Sequence, residues 1–299
     1  MRPIALWLVA RPWNGIIGLA FALVIPLVAS IASAAVVAFL VLANGARTAL
    51  LQAAAAVLIA SGLAMLLGGS GWPLLSTAVV ICLPCLLLAM VIVRTKSMSF
   101  AVQVSVIVAV VATVGFHLLV ADPVALWNGV IDQSIAILRD VGWNGQDIDA
   151  LLGHRDIIAR QMTMVSVFLP WSLMALAVIL GNVLYQKLPD QHDRFGRFAD
   201  LQLGKVLAAS MAIISLAALA SSAASLQDLA FILFAVFWIQ GLALMHWLHA
   251  EGVLPNLAVV VVYALLPFLH VLLILGLAVL GYTDAWFGYR QRIATRRGR

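Results

Sequence analysis

From Leu257 to Leu280 the chain reads LAVVVVYALLPFLHVLLILGLAVL, an apolar run in which His270 is the only side chain that titrates near neutral pH. A helix rises ~1.5 Å per residue, so this run covers the ~30 Å hydrocarbon core of a bilayer with room to tilt. Inside hydrocarbon the backbone must satisfy its own hydrogen bonds, which leaves helices and closed barrels as the available folds. Nothing in the chain alternates with the two-residue period of barrel strands. The expectation is an all-α, polytopic transmembrane helical bundle.

Composition carries this to the whole chain. Of 299 residues, 65% are hydrophobic and 10% charged, whereas soluble domains carry about 25% charged residues. No charge-rich stretch is long enough for a soluble domain, so residues 1–299 read as a single integral membrane domain. The opening MRPIALWLVARPWNG reads as the lead-in to an uncleaved first span. The runs Gly15–Ala43, Ala49–Leu67, Pro73–Val93, Phe100–Val120, Thr163–Tyr185, Val206–Ala224 and Leu229–Trp247 join the last one to give about eight spans. Gly15–Ala43 is too long for one upright span. It reads either as a tilted helix kinked at Pro26 or as two short passes in a hairpin. Val206–Ala224, rich in Ala and Ser, is the weakest.

The N-terminal spans (15–121) and the C-terminal spans (163–280) flank a connector, 122–162, of different character. Six acids (Asp122, Asp132, Asp140, Asp147, Asp149, Asp156) outnumber three arginines there. Leu126, Val130, Ile131, Ile135 and Leu138 recur at helical spacing, as do Ile148, Leu151, Leu152 and Ile158. Amphipathic interfacial helices fit that pattern, as a connector resting on lipid or a lid over a cavity. A basic tail, 281–299, closes the chain: Arg290, Arg292, Arg296, Arg297 and Arg299 against Asp284. It suits topology and anionic lipid headgroups better than nucleic acid, since no fold-scale basic surface accompanies it.

Arg47, Arg94 and Lys96 put two early loops in the cytoplasm, and the acidic connector then falls outside. Five crossings beyond Lys96 leave the arginine-rich tail outside, which the same rule resists. One segment is therefore miscounted, with Val206–Ala224 or Gly15–Ala43 the suspect. The expected tail is cytoplasmic.

Small residues recur at Ala56, Ala60, Ala64 and Gly68, a ridge that suits close helix packing. Cys82 and Cys85 form a CxxC around Pro84 within an apolar span. Hydrocarbon disfavours the thiolates that redox or metal chemistry needs, so packing is the reading there. No P-loop, HExxH, GxSxG or intramembrane carboxylate pair is present. The expectation is a protein that is not an enzyme and has no cofactor or metal. Polar groups at membrane depth are costly and mark candidate sites. His117, Asn182, Gln240 and His270 are the candidate lining of a substrate cavity. For His270 the alternative is a bond to the Tyr263 carbonyl that Pro267 frees. Gly281, Asp284, Trp286 and Arg290 form a motif that either stops the last helix or docks a partner.

GYTDAWFGYRQR, from Gly281, resembles the C-terminal signature of the DUF2232 (YybS-like) family of bacterial membrane proteins, with Gly281, Asp284, Trp286 and Arg290 as the matching positions. GNVLYQKLPDQHDRFGRFADLQLGKVLA from Gly181, FWIQGLALMHWL from Phe237 and VIVRTKSMSFAVQ from Val91 are similar too. Ala285 departs from the family, whose members usually have Ser there. The resemblance implies a multi-pass protein of the bacterial inner membrane, distantly similar to the substrate-binding S-components of energy-coupling-factor transporters. It also implies partners outside this chain, a membrane coupling protein and ATPases. Two functions follow: a substrate-capturing transporter subunit, or a non-transporting scaffold for envelope homeostasis that binds another membrane protein.

Overall fold

A computed structural model describes residues 1–25, 29–143, 145–189, 191, 194–221, 223–296 and 298, with backbone alone at 147, 149–151 and 296. The described residues are helical almost throughout and contain no strand. In chain order the helices are α1 (Arg2–Ala10), α2 (Pro12–Val24), α3 (Ala29–Asn44), α4 (Ala46–Leu66), α5 (Trp72–Thr77), α6 (Leu83–Thr95), α7 (Met98–Leu119), α8 (Pro123–Asp140) and α9 (Gly145–Gly153). They continue as α10 (Arg155–Tyr185), α11 (Gly204–Ala220), α12 (Ala224–Ala235), α13 (Phe237–Ala250), α14 (Asn256–Leu265), α15 (His270–Phe287) and α16 (Tyr289–Arg296). Six helices among the described residues are long and apolar enough to cross a membrane: α4, Trp72–Thr95, α7, α10, Ala224–Ala250 and α15.

Proline accounts for two of the irregularities in these helices. Pro84 lacks an N–H and its ring crowds the carbonyl of Val80, four residues back. A wider π-type turn over Ala78–Cys82 accommodates it, so α5 and α6 form one continuous span. Pro267 acts more severely. The run Leu257–Leu280, expected to be one helix, divides into α14 and α15 across 266–269. Past Leu280, α15 continues to Phe287 and stops where Gly288 takes a left-handed conformation, φ 57°. Gly281, Asp284 and Trp286 therefore lie on the last turns of a helix, not beyond its end.

The long run Gly15–Ala43 takes the hairpin alternative, as α2 and α3; Pro26 lies outside the described residues. Gln52 Nε2 donates to the Pro12 carbonyl at 3.0 Å, and Asn44 Nδ2 donates to Gln52 Oε1 at 3.4 Å. The start of α2, the end of α3 and the start of α4 thus meet at one end of the bundle. Gly181 of α10 packs on the backbone of Ala35 and Phe39, so α3 and α10 finish together. Met98 N donates to the Phe195 carbonyl at 2.9 Å, which brings the 186–203 loop and the start of α7 to the same place. Arg47, Arg94, Lys96, Lys187, Arg194 and Arg197 all belong to this basic end.

Ala224–Ala250 is the most deeply buried span, and α13 is buried on nearly every side. Running alongside it, α15 points in the same direction: Phe237 meets Tyr282, Gln240 meets Asp284, and Trp247 shares a wall with Arg290 and Gln291. Two parallel neighbours need a return path between them, which the short α14 supplies. The basic tail consequently emerges at the same end as Arg47 and Arg94. Dividing Leu257–Leu280, beyond the suspected Gly15–Ala43, is what resolves the charge-count conflict.

At the opposite end, α8 packs its Ile131 and Ile135 on Ile148 of α9 and Ala159 of α10, a small core of its own. Asp122 caps α8 by accepting from Ala125 N at 2.9 Å, and Pro123 occupies its first turn. The amphipathic connector is thus helical as expected. Ala56 and Ala60 of the small-residue ridge are buried within the chain, while Gly68 is exposed.

Candidate functional site at the basic end

Two glycines set the geometry of the site. A Cβ on Gly241 would fall 1.9 Å from the Leu277 carbonyl oxygen, and one on Gly281 would fall 2.1 Å from that of Phe237. Backbone therefore touches backbone where α13 and α15 run together, which small residues alone allow. This contact holds Gln240 and Asp284 within reach of each other.

Gln240 is 1% exposed, and both ends of its amide are used. Its Oε1 accepts from Leu203 N at 2.8 Å, and its Nε2 donates to Asp284 Oδ2 at 3.0 Å. Asp284 Oδ2 also lies 3.6 Å from Arg290 Nε, beyond hydrogen-bonding distance. Asp284 is 4% exposed and Arg290 6%. The other carboxylate oxygen, Oδ1, has no hydrogen-bond partner among the described residues; neither does any of the guanidinium nitrogens Nε, Nη1 and Nη2. Burial pushes the Arg290 guanidinium below its ordinary pKa, while Asp284 and then Asp200 pull the other way. An arginine so placed still carries its charge at neutral pH.

These side chains border a cavity of about 400 Å³, which Gln202, Lys205, Trp286 and Arg292 also line. Three cations face one carboxylate in that wall. Unsatisfied buried donors beside a cavity suit a ligand that accepts hydrogen bonds. No group of His, Cys, Asp and Glu able to hold a metal occurs among the described residues.

The four residues expected to line one substrate cavity do not share one. Gln240 alone borders the cavity above, together with Asp284, Trp286 and Arg290 of the other expected set, which Gly281 positions. Asn182 is fully buried at the basic end but is turned to the loop, donating to the Gly196 carbonyl at 2.9 Å and to Met98 Sδ at 3.3 Å. His117 lies at the opposite end, its Nε2 2.9 Å from Asp228 Oδ2 of α12. Phe116 beside it stacks on Trp127 of α8 with ring centroids 5.9 Å apart. His270 opens α15 just after the Pro267 break and is exposed. The break puts this histidine on the outside of the bundle, away from the cavity beside Arg290.

Sequence reading missed Lys205, Gln202 and Asp228. Asp228 had a signal: it is a lone carboxylate in an otherwise apolar helix, SLQDLAFILF. Lys205 and Gln202 had none, because they reach the cavity only through the path of the 186–203 loop. Cys82 and Cys85 are buried and bond to Ser33 Oγ and the Met174 carbonyl, which fits their packing role.

Compared with protein-family models, curated proteins and solved structures, the chain finds no match.

Proposed function

We propose that this chain is a ligand-binding membrane protein, a capture subunit of a small-molecule transport system, and that its ligand occupies the cavity between α11, α13, α15 and α16. One observation carries the reading: Arg290 and Asp284 Oδ1 are buried beside that cavity with hydrogen-bonding capacity unused. A buried polar group without a partner costs roughly 1–3 kcal/mol, more when charged, so a ligand that supplies the missing bonds would be bound strongly. The likeness of Gly281, Asp284, Trp286 and Arg290 to the DUF2232 motif points the same way, and S-component-like partners would supply the energy coupling. By positive-inside reasoning the basic end faces the cytoplasm of a bacterial inner membrane.

A second reading, the scaffold, draws support from a different place. An apolar groove of about 340 Å³ between α2, α4, α5 and α6 is lined by residues such as Leu23, Val57, Val79 and Leu86. Grooves of this kind receive a lipid chain or a partner helix.

Purification from native membranes in a gentle detergent, with bound small molecules and proteins identified by mass spectrometry, separates the two. The capture reading expects a small molecule that is retained by the wild type and lost from Lys205→Gln/Arg292→Gln. A protein partner with no small molecule in either preparation would favour the scaffold.

A further inference from the structure

We infer that the basic-end cavity binds an oxyanion, a phosphate-type group carried either on a free small molecule or on a lipid headgroup. This rests on reading the cavity as a ligand site and adds the chemical class of what it holds.

The wall carries Lys205, Arg290 and Arg292 against Asp284 alone. Asp284 is taken up by Gln240 and by the neighbouring Arg290, so the surplus is two positive charges, on Lys205 and Arg292. Both of those side chains belong to exposed residues and can swing towards a ligand. Arg290 differs from them. It is 6% exposed, and all three of its nitrogens lack a hydrogen-bond partner among the described residues. A planar guanidinium presents its N–H groups in a fork that matches two oxygens of a phosphate or carboxylate. A neutral ligand would leave the surplus charge uncompensated, and a cation would meet repulsion from three sides.

The backbone adds to this. Gly204 and Lys205 open α11, a helix with no acidic residue in its first turn and no side-chain cap. Its first N–H groups and the positive end of its dipole therefore lie at the cavity wall without a competing carboxylate. Gly204 has φ 84°, a left-handed conformation that a side chain would strain, and it permits the turn from the loop into α11. Working against the site are the Asp284 carboxylate, whose unpartnered Oδ1 an oxyanion cannot satisfy, Asp200, which acts on Arg290 but is paired with Arg197, and the negative end of α15, which stops at Phe287. One of that helix's last carbonyls, that of Asp284, is already engaged by Gly288 N at 2.9 Å. Three cations and the start of α11 outweigh these.

A single set of measurements tests the assignment. Full-length protein in a neutral detergent is titrated with inorganic phosphate against sodium chloride at matched ionic strength, and heat of binding and thermal unfolding are followed. In parallel, protein from nanodiscs of phosphatidylcholine with or without phosphatidylglycerol is examined for retained lipid by native mass spectrometry. Arg290→Gln removes the central fork; because that change can also unfold the protein, Lys205→Gln/Arg292→Gln, at exposed positions, is the second variant. A free oxyanion as ligand gives saturable, phosphate-specific binding that weakens at least tenfold in Lys205→Gln/Arg292→Gln. A headgroup ligand gives one retained phosphatidylglycerol that the same variant loses. Phosphate indistinguishable from chloride, together with no lipid that depends on Lys205 and Arg292, overturns the oxyanion. If a neutral or cationic molecule then copurifies in a Lys205- and Arg292-dependent way, the cavity stands as a ligand site with the wrong class assigned. If nothing does, the ligand-site reading falls with it.

Discussion

Gly241 and Gly281 face each other where the backbones of α13 and α15 touch, and neither has room for a side chain. A Cβ at Gly281 would come within 2.6 Å of Gly241 N as well as 2.1 Å of the Phe237 carbonyl oxygen. The obstacle is backbone on both sides, so no rotamer change relieves it. The polar cluster of Gln240, Asp284 and Arg290 exists because this contact brings α13 and α15 together.

Gly241→Ala and Gly281→Ala should each destabilise the protein by roughly 1–3 kcal/mol or more, the range for overpacking a closely fitted interior. Gly276→Ala is the control, because nothing lies within 4 Å of a Cβ there. It should leave stability unchanged or raise it slightly through better helix propensity. Thermal unfolding in detergent reads all three. Equal effects at positions 241, 276 and 281 would mean that the helices are not in backbone contact.

Charge changes at Asp284 and Arg290 should act on folding before they act on any partner. Both are buried, so charge reversal at either leaves like charges together in a poorly solvated place. Breaking a buried pair from one side costs about 3–5 kcal/mol, whereas replacing both members with apolar residues is often neutral or better. Arg290→Met alone should therefore destabilise strongly, and Asp284→Leu/Arg290→Met should recover much of the loss. Variants that stay as stable as the wild type while losing one specific protein partner would favour the docking role for this motif.

The His117–Asp228 contact should behave as a tether between α7 and α12. Side-chain exposures of 13% and 9% keep water largely away from it. His117→Leu leaves Asp228 without its partner and should cost more than His117→Leu/Asp228→Leu. A double-mutant cycle on unfolding measures the coupling. Hydrogen bonds between membrane helices average about 0.6 kcal/mol and reach about 1.7, so a coupling indistinguishable from zero argues against the contact.

The helical class and the helices of the amphipathic connector were legible because hydrophobic run length and charge depletion depend only on local composition. What stayed hidden depended on single prolines and on direction. Pro267 turns one apparent span into two elements, and nothing in the apolar residues around it says whether a proline kinks a membrane helix or breaks it. That break reverses the course of the chain and decides where the tail emerges. It also places His270 outside, although the same residue looks isolated at mid-membrane in the sequence. Half of the candidate site was legible: Gln240, Asp284, Trp286 and Arg290 are conspicuous polar or aromatic residues. Their assembly into one cavity was not, because it depends on Gly241 and Gly281, which read as ordinary membrane glycines.

The tail should lie on one side of the membrane and the connector around Asp140 on the other. Activity of paired reporters fused after Arg299 and inserted at Gly142, one active only in the cytoplasm and one only in the periplasm, determines this. The arginine distribution predicts a cytoplasmic tail and a connector on the opposite side. A tail and connector on the same side would contradict the parallel course of α13 and α15.

The most direct measurement is made inside the cavity. Ala285 borders it, and the native cysteines, Cys82 and Cys85, are buried, so Ala285→Cys gives one accessible thiol on a quiet background. Its reaction with a sulfonate-bearing and a trimethylammonium-bearing methanethiosulfonate reagent is timed, with and without inorganic phosphate. An oxyanion site predicts faster labelling by the sulfonate reagent, loss of that preference in Lys205→Gln/Arg292→Gln, and protection by phosphate that chloride does not give. Faster labelling by the cationic reagent, or rates that ignore both charge and phosphate, would contradict it.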